Sequence, residues 1–156
     1  MTSTITAGTL KVTIRESITL KGKDQGSTTE LSIPDINEVA SRIVTATTTE
    51  AVIIAMGTVI AAGQFLESKV RYIRITNLDD TNHVSLTFRN EDSDEFGVKL
   101  DKGQSFIYNG DLSGGVVDTM EAAATAITPG TLADLVDITA LADTASCDLE
   151  IFVASA

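Results

Sequence analysis

The sequence predicts an all-β fold: an antiparallel β-sandwich of jelly-roll or related Greek-key topology, with at most short helices. Three observations carry that reading. Twenty-two of the 156 residues are threonine, and with the many Val and Ile they supply β-branched side chains, which are stiff at χ1 and suit a half-buried pleated surface. Apolar and polar residues alternate in short runs, the period-2 pattern of strands with one covered face. Between the runs stand clusters of Gly, Asn, Asp and Ser, which favour turns through φ > 0 tolerance and side-chain-to-backbone bonds.

The elements follow in order. "TLKVTIRESITL" (9–20) alternates Leu10, Val12 and Ile14 with Lys11, Thr13 and Arg15. "KGKDQGS" then reads as a turn and "TTELSIP" as a return strand, giving a first hairpin. "DINEVASR" (35–42) offers one helical turn behind Asp35 as N-cap, although it is too short to stand alone and runs into the β-branched "IVTATTTEAVII". Strands are expected on either side of a kink near Thr48–Glu50. "GTVIAAGQFLES" (57–68) is Gly-punctuated and reads as a loop, one able to lie against another surface.

"KVRYIRITN", "HVSLTFRN", "FGVKL" and "SFIYN" read as four strands of an antiparallel meander joined by "LDDTN", "EDSDE" and "DKGQ". Val84, Leu86 and Phe88 form one apolar face that Val98 and Leu100 continue. Beyond the Gly-rich "NGDLSGG", residues 118–124 read as a short helix or a loop, "GTLADLVDITAL" carries both strand and helix character, and "CDLEIFVAS" is a closing strand with Leu149, Ile151 and Val153 on one side. Residues 1–8 are expected to be a flexible N-terminal arm, and 9–156 a single β-sandwich domain.

Eleven Lys and Arg against twenty-two Asp and Glu give a net charge of −11, which disfavours nucleic acid and anionic membranes as partners. The charge is segregated. Residues 1–102 hold every base and fourteen acids, a net −3, whereas 103–156 hold eight acids and no base. That final third reads as an acidic surface turned to solvent, to cations or to a basic neighbour. Cys147 is the lone cysteine, which precludes an internal disulfide and reads as a small strand residue. No basic, apolar leader opens the chain, and its longest apolar stretch is Thr-interrupted and too short to span a bilayer as a helix, so a soluble protein made in a reducing cytosol is expected.

Chemistry is sparse. The densest charge run, "RNEDSDEFGVKLDKG", fails as a calcium EF-hand loop: counted from Asp92, position 5 is Phe96 and position 12 is Gly103, where oxygen ligands are needed. A solvated hairpin turn fits better, with a looser cation cage using Asp79 or Asp80 as the weaker alternative. His83 is the single histidine, so no multi-His zinc site exists, and neither a G-x-S-x-G elbow nor a catalytic-cysteine signature accompanies it. Acid pairs such as Asp92 with Asp94 lack the aromatic platforms of glycosidases, and the glycines of "GDLSGG" lead to no Lys-Ser/Thr pair for phosphate. Neither a catalytic residue, a metal ligand nor a cofactor is therefore assigned. The run "AVIIAMG" (51–57) reads as a buried core strand, with an exposed interface strip as the alternative, and Met56 at its end together with Val59 and Ile60 in the loop beyond are the candidate partner-interface residues.

The block "RYIRITNLDDTNHVSLTFRNEDSDEFGVKLDKGQSFIYNGDLSGG" resembles small virion proteins of tailed bacteriophages, marine and cyanophage-type ones in particular. The flanking "KVTIRESITLKGKDQGSTTELSIPDINEVASRIVTATTTEAVI" and "TASCDLEIFVAS" extend the likeness over most of the chain. The resemblance implies a non-enzymatic subunit of the virion, a head decoration or cement protein that binds the major capsid protein or other virion subunits and forms homo-oligomers. A tail-associated adaptor or fibre-attachment subunit is the first alternative. A carbohydrate- or receptor-binding module using Tyr72, Tyr108 or a turn cation is the second.

Overall fold

The computed structural model describes residues 4–156. Thirteen strands occur in this part of the chain: β1 (Gly8–Glu16), β2 (Thr19–Leu20), β3 (Lys23–Asp24), β4 (Ser27–Ile36), β5 (Glu38–Ala46), β6 (Ala51–Gly57), β7 (Phe65–Leu66), β8 (Val70–Asn77), β9 (Val84–Asn90), β10 (Glu95–Leu100), β11 (Ser105–Asn109), β12 (Leu135–Ala142) and β13 (Cys147–Ser155). The only helical element among the described residues is a 3₁₀ turn at Pro129–Thr131. Among the described residues no helix is long and apolar enough to cross a membrane.

Two antiparallel sheets pack face to face. One has the order β11-β8-β13-β5 and the other β10-β9-β12-β6, with β7 added in parallel beside β6. The chain changes sheet at nearly every step from β5 to β13, and only β9–β10 is a hairpin within one sheet among the eight principal strands. That order is a jelly roll: two Greek keys wound around a single core.

The crossings correct the meander. β8 and β9 are consecutive, yet the amide of Leu78 donates to the Asp148 carbonyl at 2.9 Å and carries the chain over the end of β13 into the other sheet. The 101–104 turn brings it back, with Gly103 N donating to Asn77 O at 3.0 Å and Asn77 N to Gln104 O at 2.9 Å. Buried Asn77 secures both crossings: its Nδ2 donates to the carbonyls of Asn82 and Leu100, and its Oδ1 accepts from Asp79 N. A four- or five-residue turn serves a crossing between layers as readily as a hairpin, so turn composition alone does not choose between them.

Alternation decides which side chains fill the core. Val84, Leu86 and Phe88 meet Ile73, Ile75, Leu149, Ile151 and Val153 across the sandwich, and Val98 and Leu100 lie opposite Leu86 and Val84 in the neighbouring strand. Phe88 is the centre, stacked on Phe96 at 4.7 Å with Phe106 and Tyr108 at 5.0 and 5.6 Å. Fully burying one such side chain contributes roughly 1.5–3 kcal/mol.

One local expectation is replaced and one open choice is resolved. Residues 38–42 are strand, not helix; Asp35 sits at φ 61°, which breaks a helical start, and β5 then pairs with β13 from Glu38 to Ala46. Residues 118–124 are also non-helical, and an isolated bridge ties Met120 to Ala133. Of the expected N-terminal arm, residues 1–3 lie outside the described residues, 4–7 are exposed and without regular structure, and Gly8 already belongs to β1.

Candidate interaction surface

The first hairpin stands apart from the sandwich. β1 and β4 pair from Gly8↔Ile36 to Glu16↔Ser27, and the ladder resumes as Thr19↔Asp24 and Leu20↔Lys23. Lys21 (φ 50°) and Gly22 (φ 76°) close it; two positive-φ residues make the type I′ geometry whose twist matches that of paired strands. Gly26 takes up the irregular step, where a Cβ would run into the Glu16 carbonyl, and Ser27 Oγ donates to Glu16 Oε2 at 3.0 Å.

Only the base of this hairpin is covered. Ile33 and Ile36 are buried against Tyr72 and Ala154, with Leu10, Val12, Leu31, Ile107 and Phe152 packed around them. Those partners lie on the outer face of the β11-β8-β13-β5 sheet, so the base forms a partial third layer. Farther out nothing covers either side of the ribbon. Ile14, Ile18 and Leu20 are 44, 49 and 55% exposed, and every residue from Thr13 to Glu30 except half-buried Gly26 is exposed. A two-stranded ribbon without a third layer is marginal in water. With about 3.3 Å of rise per residue, the stretch from Ile14 to the Lys21–Gly22 turn projects on the order of 20 Å.

The chemical candidates resolve into structure. The β9–β10 acid run is a turn closed by Asn90, whose Oδ1 accepts from Asp94 N at 2.8 Å and whose carbonyl accepts from Ser93 N at 3.1 Å. Among the described residues no three His, Cys, Asp or Glu side chains are grouped as a metal ion would need. Asp79 is likewise a turn-former: it accepts from the amides of Asn82 and Thr81, which hold its carboxyl below the usual range. Asp111 accepts from the Ser113 hydroxyl and from the amides of Ser113 and Gly114, and these bonds lower its carboxyl to about 2.

His83 and Cys147 are neighbours without forming a relay. The imidazole Nδ1 lies 3.7 Å from Asp143, whereas the buried Cys147 Sγ points at the backbone carbonyls of Ala145 and His83, 3.6 and 3.8 Å away. Burial first, then Asp79, Asp148 and Asp143, pushes that thiol up, away from the thiolate form a nucleophile needs.

The glycan platform is corrected as well. Tyr72 lies under the hairpin base, edge-on to Phe152 at 6.0 Å, and Tyr108 faces the core, its hydroxyl 2.9 Å from that of Thr119. Burial raises both phenols. Of the three interface candidates, Met56 faces inward in β6 and is buried in the core, while Val59 and Ile60 are exposed in the loop that follows. The alternation that points Ile54 inward takes Met56 with it.

One feature had no sequence signal, and one sequence reading is corrected. Glu67 is a buried acid facing Asp134 and Glu91, and desolvation, followed by those two charges, raises its carboxyl. The acidic final third is not one surface: β12 and β13 are interior strands of the two sheets, so Asp137 lies 3.3 Å from Arg89 and Glu150 pairs with Arg74.

No family model matches the chain, and no curated protein matches it. Among solved structures, it is similar to a chain from a structure described as "Bacillus endospore appendages form a novel family of disulfide-linked pili", with 10% identity and a TM-score of 0.44 over 99% of this chain and 96% of that one. A likeness that loose carries no argument about activity, and the fold reading stands on the strand order described above.

Proposed function

We propose that the chain is a non-enzymatic structural subunit of a virion, a head decoration or cement protein: residues 9–156 form one domain whose jelly-roll body sits on the shell while its projecting hairpin grips a neighbour. The observation that carries this reading is the projecting ribbon with exposed Ile14, Ile18 and Leu20. A folded arm with apolar side chains in water has no use within its own monomer, whereas a neighbour that covers it removes that surface from water. Val59 and Ile60 supply a second, smaller contact. Jelly rolls occur in capsid domains and in other settings, so the fold supports the reading without fixing it.

Mass spectrometry of purified particles, with heads separated from tails, tests it. The chain is expected in the head fraction at stoichiometric amounts, and Ile18→Asp with Leu20→Asp is expected to abolish retention while the body stays folded. Recovery with tails only, or absence from particles, overturns the assignment.

A further inference from the structure

We propose that the hairpin tip docks on a second copy of this chain, at the apolar patch formed by Ile43 and Leu78. The proposal deepens the structural reading above by naming one partner of the arm. On the tip, Leu20 lies directly opposite Lys23 in the β2–β3 ladder, and the amide of Gln25 donates to the Ile18 carbonyl. Cross-strand partners share a face, so that face presents two apolar side chains beside a lysine, with Lys21 at the turn.

The chain's own surface offers the complement. At the Cys147 end of the sandwich, Ile43 and Leu78 are 63 and 46% exposed and share a shallow depression with Asp79, Asp80 and Asp148. Ile43 belongs to an edge strand, β5, on the sheet's outer face beyond the hairpin base. Apolar side chains meet apolar side chains there, and lysines meet carboxylates.

Charge favours this occupant. The hairpin, residues 8–36, carries four bases and four acids, whereas residues 37–156 carry seven bases and eighteen acids. The body of one copy therefore repels the body of another, and the neutral arm with its lysine tip is the part that can approach. Because tip and patch are different surfaces, a reciprocal exchange of arms closes a two-fold pair, and an unreciprocated contact builds rings or open chains.

Sedimentation velocity of the full chain over a concentration series tests this. Wild type is expected to self-associate, and Lys21→Glu/Lys23→Glu and Asp80→Lys/Asp148→Lys are each expected to weaken association about tenfold or more. Mixing the two variants is expected to restore it, because each arm then meets a patch of opposite sign. All four substitutions are at exposed positions, and unchanged thermal unfolding confirms that folding is intact. A wild type that stays monomeric, or association indifferent to both charge reversals, overturns the docking. Particle retention reads out separately: a monomeric chain still lost from heads on Ile18→Asp/Leu20→Asp sinks this contact and leaves the structural role standing.

Discussion

Strand β9 and strand β1 carry the same alternation in sequence and have opposite fates. Val84, Leu86 and Phe88 point into a closed core and are fully buried, whereas Leu10 and Val12 are half-covered and Ile14 is exposed. What differs is the number of layers. β9 lies between β10 and β12 with a second sheet over its apolar face, while β1 has one partner strand and, past its base, no facing layer. Alternation therefore specifies a strand with one face to cover and leaves open whether the same molecule supplies the cover. In the body it does; at the arm, past its base, it does not.

Substitutions at matched positions separate the two regions. Phe88→Ala removes the ring on which Phe96, Phe106 and Tyr108 converge, and a loss of about 3–5 kcal/mol in denaturant unfolding is expected. Ile33→Ala, at the covered base of the hairpin, is expected to cost about 2–4 kcal/mol of local stability. It should raise protease sensitivity within residues 8–36 before the body unfolds. Gly115→Ala places a side chain at φ 73° and into the Glu67 carbonyl, and a loss of about 1–3 kcal/mol is expected from the backbone conformation alone.

Glu67→Gln acts in the stabilising direction. The folded-state carboxyl is raised, so Glu67 contributes stability when protonated and loses it as pH rises above the ordinary value of 4.5. The Gln variant should melt above wild type at pH 7, and the gap should close as the pH falls below 4.5. A gap that widens in acid contradicts the burial argument. The smallest effect belongs to the arm: Leu20→Ala should change the unfolding free energy by less than about 0.5 kcal/mol, although the same residue is expected to matter for association.

The legible part of this fold is the part written locally. Alternation and the turn-rich "KGKDQGS" marked the hairpin, and the faces of 84–88 and 149–153 marked the core. The jelly-roll class was legible from the many short strands and their turns, whereas the strand pairing was not, because pairing β8 with β13, or β9 with β12, joins segments more than forty residues apart and "LDDTN" suits a crossing as well as a turn. The misplaced side chains have the same origin. Tyr72 looked available until the hairpin folded over it, Met56 lay next to glycine and was read with the loop, and the acidic final third looked like one surface until interior strands set Arg74 and Arg89 beside its carboxylates. Glu67 gave no signal because Asp134 and Glu91 reach it only through the fold.

Amide hydrogen exchange, on the isolated chain and on purified particles, tests the central claim most directly. In the isolated chain, diluted to where it is monomeric, the amides of residues 15–27 should exchange within the fraying range while those of β9 and β13 are protected to the level of global unfolding; on the particle, the arm should become protected as well. An arm as slow as the body in the isolated chain, or one whose exchange is unchanged on the particle, would contradict the account.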